Sequence, residues 1–309
     1  MKNFTKILLL IGLGFGLNSC QEQVETVDYL NIPYLNSNRA PHVFPEAPTE
    51  VTKNVLVEEY TGHQCGNCPE AARLLKGIIK QDAYKDQVIA VAIHGDGGFF
   101  TEFDPNAEKF YYNFTTPEGI EIDQKFGISS SGLPKGMVNR TIFDSQISLA
   151  HGIWQSAIDN ELNKLAVAWV DVYSTVEPSN SNIITTDVRV KFLENYSGNV
   201  KANVILVESG IINYQKEYDT NFQPDGSSTI PNYEHNHILR YNHSTNNRNL
   251  FGTWGSDITE TTKGSDGIKR ISTTLEGTDW KVENMHAIAY IYDTETNEIL
   301  QVKEVKIKH

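Results

Sequence analysis

Val55-Leu56-Val57-Glu58-Glu59-Tyr60, Thr61-Gly62-His63-Gln64 and Cys65-Gly66-Asn67-Cys68-Pro69 follow one another without interruption, and this stretch decides the fold. A six-residue apolar run rich in valine predicts a strand. Residues 69–80 carry apolar positions at helical spacing, and Pro69 suits a first helical turn, where a missing N–H costs little. At such a strand-to-helix junction the first cysteine lies at a helix N-terminus, where free N–H groups and the helix dipole favour a thiolate. Cys65 is therefore expected to be an exposed attacking thiol. Cys68, about one turn on, is expected to resolve the mixed disulfide.

Two other uses of a CxxC compete with this one. It also forms half of a zinc site, but zinc usually takes a second ligand pair at similar spacing, and the chain has none. A purely structural disulfide would close a very short loop with little entropic gain, in a chain long enough to do without one. Thiol redox chemistry is the better account, and it needs neither a cofactor nor a metal.

The third and last cysteine is Cys20. Lys2 and Lys6 precede a short apolar core that ends in Leu17-Asn18-Ser19-Cys20, the pattern of a bacterial lipoprotein signal in residues 1–19 with Cys20 as the lipidated residue. Gly12, Gly14 and Gly16 lie inside that segment and do not form a nucleotide loop. The two remaining thiols then belong to an oxidising compartment. Residues 20–51, with four prolines and few periodic apolar positions, read as an extended tether.

The formal net charge of −13 becomes more negative once Lys2 and Lys6 leave, which argues against nucleic-acid partners. After the first strand and helix comes Val88-Ile89-Ala90-Val91-Ala92-Ile93, an apolar run fit for a buried parallel strand, ending at His94-Gly95-Asp96. Ligands gather at the carboxyl ends of such strands, which brings His63, His94 and Asp96 near the cysteines. A protonated His63 or His94 would lower a thiolate pKa, and a neutral one would complete a metal site; an ordinary loop histidine is the third possibility. Alternation puts Glu58 and Glu59 on opposite faces of the strand. Glu59, six residues before Cys65, is the candidate proton carrier, its alternative being a solvated strand end. Helices are expected at residues 105–113, 117–126 and 147–164. Before the strand near Val138, Leu133-Pro134 is the candidate cis-proline that would hold a substrate backbone, with an ordinary turn proline as the alternative.

Beyond residue 165 the apolar period changes from 3.6 to two, and strands separated by polar turn clusters predict an antiparallel β-sandwich. The expected layout is α/β followed by all-β, with residues 52–165 as one domain and 166–309 as the other. In Tyr233-Glu234-His235-Asn236-His237, the i, i+2 spacing would let His235 and His237 share a metal with His243, although a structural hydrogen-bond cluster is the commoner outcome.

Taken together, the Val55–Tyr60 strand with Thr61-Gly62, the Cys65-x-x-Cys68-Pro69 motif, Leu133-Pro134 before Val138-Asn139-Arg140, and His235-Asn236-His237-Ile238-Leu239-Arg240 resemble the outer-membrane-protein-28-related lipoproteins. That resemblance implies a thioredoxin-like domain joined to a β-sandwich and anchored by lipid at the outer membrane. It implies little about activity beyond the surface receptor or adhesin roles suggested for such proteins. The lone dithiol at the strand-to-helix junction is what carries the expectation of thiol–disulfide exchange with exported polypeptides or a redox partner, a non-enzymatic binding module on the same scaffold being the alternative. Gln64 stands where thioredoxin has tryptophan, and Gly66-Asn67 where it has Gly-Pro.

Overall fold

The computed structural model describes residues 40–223, 225–240 and 254–309. Cys20, the signal, most of the tether and His243 lie outside them. The fold is mixed α/β, with most of its regular structure in strands and little in helices. Among the described residues no helix is long and apolar enough to cross a membrane.

β1 (Val55–Tyr60) is buried along its whole length. α1 (Cys68–Ile79) begins with Pro69 in its first turn, carries Glu70 early and Lys76 late in accord with the helix dipole, and buries Cys68, Ala71, Leu75 and Ile78 on one face. β2 (Val88–Ile93), equally buried, pairs with β1 in parallel from Val55↔Val88 to Tyr60↔Ile93. Burial on both faces explains why neither strand alternates.

α2 (Pro117–Phe126) is delimited by its own sequence. The Thr116 hydroxyl accepts from the Gly119 N–H, Pro117 opens the helix, and Gly127 at φ 63° closes it with its N–H on the Asp123 carbonyl. β3 (Lys135–Val138) lies antiparallel on the other side of β1. Gly136 is required there, because a Cβ would sit 2.7 Å from the Trp154 ring. α3 (Trp154–Leu162) starts later than the expected residue 147, because Leu149 exchanges both backbone hydrogen bonds with Gly136 and so is held extended.

The helix expected at residues 105–113 does not form; the segment is a series of turns with Phe110 at φ 55°. Phe110 and the neighbouring Phe114 pack on His63 instead of following one helical face.

The second half supplies β4 (Ala168–Glu177), β5 (Asn180–Phe192), β6 (Val200–Glu208), β7 (Ile211–Lys216), β8 (Thr229–His235), β9 (Ile238–Leu239), β10 (Ser256–Ile258), β11 (Asp266–Thr274), β12 (Met285–Asp293) and β13 (Ile299–Lys306). The largest sheet has the order β13-β12-β6-β9-β2-β1-β3, with β10 also paired to β6. It therefore runs across position 165. The seam is β9, which is antiparallel to β6 and parallel to β2 through the pair Ala92↔Ile238. β11, β5 and β4 form a second sheet, and its inner residues Val170, Val172, Val188 and Val190 share one apolar core with Val204, Leu206, Ile288, Tyr290 and Val302 of the large sheet. β7 and β8 form a hairpin of their own.

A buried hydrogen-bond network built on a charge pair also crosses position 165. Glu58 accepts two hydrogen bonds from Arg140, at 2.8 and 2.7 Å, and Arg140 also donates to the Tyr290 hydroxyl, which accepts a second hydrogen bond from Asn203. Next to it, Asn139 at φ 47° extends the β1 pairing with its side chain: its Oδ1 accepts from the Leu56 N–H while its own N–H donates to the Leu56 carbonyl.

Candidate functional site

Residues 61–67 leave β1, anchored by the Thr61 N–H on the Ile93 carbonyl and the Cys65 N–H on the Gly62 carbonyl. Gly62 lets the turn pass the Phe100 carbonyl, which a Cβ would meet at 2.3 Å. Cys65 and Cys68 form a disulfide with Cα atoms 5.4 Å apart.

The expected exposure of Cys65 does not hold. Both cysteines are only 1% exposed. The cover is the chain after β7. Gln215 donates its amide to the Gly62 and Cys65 carbonyls, the Lys216 N–H donates to the His63 carbonyl, and the Tyr218 N–H donates to the Gly66 carbonyl. The Tyr218 ring lies on Gly66, where a Cβ would come within 2.5 Å of it. Arg73 of α1 secures the same segment through Glu217 at 2.6 Å and by stacking on Phe222. Every backbone acceptor that this turn offers at Gly62, His63, Cys65 or Gly66 to the hairpin segment is thus filled from within the chain.

Glu58 and Glu59 are both buried, with different outcomes. Glu58 is neutralised by Arg140, whereas Glu59, 6% exposed, has no hydrogen-bond partner for its Oε1, and burial pushes its carboxyl up to about 8. A carboxyl in that state is protonated at neutral pH and can give or take a proton there.

Glu59 and Cys68 border the same cavity of about 540 Å³, between α1 and the β7–β8 hairpin. Thr61, His94, Gln215, Phe222, Tyr233 and His235 also line it, and Cys65 does not.

His63 donates from Nε2 to the Glu102 carbonyl oxygen, 2.6 Å away. His94 stacks on Phe114 at 4.8 Å, and neither of its ring nitrogens has a partner. Burial lowers the pKa of both rings, His94 far below its usual value. Neither therefore carries the positive charge that would favour a thiolate. Asp96 is tied to α2, with its N–H on the Asp123 carboxylate and its own carboxylate taking a hydrogen bond from Gln124.

His235 ends β8, and its pKa falls to about 3 through burial. His237 lies beyond the strand at φ 56°, so the i, i+2 alignment that would pair the two rings on a metal is broken. Among the described residues no group of three or more His, Cys, Asp or Glu side chains has metal-binding geometry.

The Leu133–Pro134 peptide is cis. It immediately precedes β3, whose Lys135 faces Tyr60, so it lies next to the end of β1 from which the cysteine turn departs. Gln215, Tyr218, Phe114 and the hairpin as a whole were not distinguishable as site residues in the sequence. The one signal was Gly66, a residue without a side chain between two cysteines, which marks a close approach.

These features define a strand-rich α/β protein with a disulfide at a strand-to-helix turn and a cis-proline beside it. The chain belongs to the family described as Outer membrane protein Omp28, whose profile matches residues 122–309. The match begins in α2, after the cysteine turn. Among solved structures the chain is similar to HBP35 of Porphyromonas gingivalis, at 17% identity and a TM-score of 0.57, over 83% of this chain and 76% of that one. A domain of the outer membrane lipoprotein Omp28 from Porphyromonas gingivalis aligns at 21% identity and a TM-score of 0.29, over 47% of this chain and 91% of that one. No curated protein matches the chain.

Proposed function

We propose that this Omp28-family chain is a lipid-anchored outer-membrane protein that performs thiol–disulfide exchange at Cys65–Cys68. Residues 52–165 would be the thioredoxin-like part and residues 166–309 the β-sandwich, carried on a tether that starts at lipidated Cys20. The observation that carries the proposal is Glu59: an unpartnered buried carboxyl, raised to about 8, on the same cavity wall as Cys68. On reduction it supplies a proton to the Cys68 thiolate, and on oxidation it takes that proton back. The cis peptide at Leu133–Pro134, next to the cysteine turn, fits the same scheme as a backbone-docking element.

The test is exchange with a small model disulfide. Cys65→Ser is expected to abolish turnover, and Glu59→Gln to slow it by about 10²-fold, the usual contribution of a positioned acid–base group. Turnover unchanged in Cys65→Ser refutes exchange at this pair. A second function, a non-enzymatic binding module on the same scaffold, draws support from the depth of the disulfide beneath the hairpin. It predicts partner capture that survives Cys65→Ser and is lost when residues 213–235 are replaced.

A further inference from the structure

The hairpin leaves one side of the disulfide approachable. On the Cys65 side, Gln215, Lys216 and Tyr218 fill the backbone acceptors of the turn, and the Tyr218 ring covers Gly66. A polypeptide seeking Cys65 would have to displace all of them. On the Cys68 side lies the 540 Å³ cavity, within the size range of small-molecule sites.

The charges around the cavity point to the kind of molecule it takes. Its floor is uncharged at neutral pH, because Glu59 is protonated and His94 and His235 are neutral. Its wall on α1 carries Arg73, Lys76 and Lys80. Arg73 is committed to Glu217, whereas Lys76 and Lys80 have no carboxylate within 4 Å among the described residues. Glu234 is the other acid on the lining, and it takes a hydrogen bond from Asn236.

We propose that the exchange partner is a low-molecular-weight thiol bearing carboxylate groups, which enters between α1 and the hairpin and reacts at Cys68. This rests on exchange chemistry at the pair and names its substrate class. The small thiolate attacks the Cys68 sulfur, the Cys65–Cys68 bond breaks, and Cys65 departs as a thiolate that is protonated from solvent. A second small thiolate attacks the outer sulfur of the mixed disulfide. Cys68 leaves and takes the Glu59 proton, and Glu59 recovers one from solvent. Two small thiols are thereby oxidised to their disulfide by two electrons, and the protein disulfide is reduced to two thiols.

The experiment measures opening of the disulfide in the intact protein by glutathione, by neutral 2-mercaptoethanol and by a reduced polypeptide dithiol, each rate expressed per thiolate. Glutathione is expected to be fastest, with the polypeptide slower by about tenfold or more because access limits it. Lys76→Glu/Lys80→Glu, on the exposed face of α1, is expected to slow glutathione by about tenfold at low salt while leaving 2-mercaptoethanol unchanged. Peptide mapping after glutathione-disulfide treatment of the reduced protein should find the adduct on Cys68. An adduct on Cys65, no effect of the charge reversal, or equal rates for glutathione and the polypeptide overturns this route while exchange itself stands. If no reductant opens the disulfide, even in Tyr218→Ala, exchange and the route fail together.

Discussion

Glu59→Gln should change how the stability of this protein depends on pH. In the folded chain the carboxyl titrates at about 8 against 4.5 when unperturbed, because burial penalises its charged form. Between those two values the unfolded chain has released its proton and the folded chain retains it. The stability associated with Glu59 is therefore fully present below 4.5 and declines as pH rises, levelling off above about 8. A separation of this size corresponds to about 3–5 kcal/mol across the window. Glutamine keeps the shape and has no proton to lose. Urea unfolding of both proteins with the disulfide intact, at pH 5 and pH 9, isolates the effect, because other raised carboxyls such as Glu118 and Glu304 are common to both and cancel. The variant should match the parent within about 1 kcal/mol at pH 5 and exceed it by about 3–5 kcal/mol at pH 9. An equal difference at the two pH values would refute the account of Glu59 as a buried, protonated carboxyl.

Arg140→Met strands Glu58 without its partner and should cost about 3–5 kcal/mol by thermal or urea unfolding, while Glu58→Met/Arg140→Met should recover most of it. A double variant no more stable than the single one would show that the pair is not coupled. Gly66→Ala places a methyl 2.5 Å from the Tyr218 ring and should lift the hairpin, lowering stability by about 1–3 kcal/mol and speeding reaction with a polypeptide dithiol. A rate equal to the parent's would remove the hairpin as the barrier.

Local signals carried much of the fold. β1, α1, β2 and α2 are legible because each combines an apolar pattern with its own boundary residues, as Thr116, Pro117 and Gly127 show for α2. The candidate Leu133–Pro134 peptide is cis, although no local signal around Pro134 distinguishes cis from trans. Where tertiary contacts decide, the sequence alone misleads. Residues 105–113 look helical by period and become turns because Phe110 and the adjoining Phe114 pack on buried histidines. The choice between Glu58 and Glu59 depends on Arg140, which lies far along the chain and carries no pattern linking it to β1. The burial of Cys65 depends on Gln215 and Tyr218, placed over the turn by a hairpin whose register cannot be derived from residues 61–68. Histidines 63 and 94 are in the neighbourhood expected for them, but burial removes the charge on which their expected role depended.

The two-residue strand β9 has a consequence for the order of assembly. β2 can complete its hydrogen bonding only when the His237 carbonyl reaches the Ala92 N–H, and β6, made earlier, waits for the same two residues on its own side. Until residue 239 has been synthesised, two apolar sheet edges stand open in one chain, each able to pair with a neighbour. Ile238 and Leu239 close both in a single event of long sequence range, so joining of the two halves of the large sheet is slow to begin, and β12 and β13 then add on the far side of β6. A chain cut short before Ile238 would keep both of these edges and also the opposite edge of β6 that β12 covers, and be far more prone to aggregate than one lacking the β12–β13 hairpin, whose loss uncovers a single edge at β6.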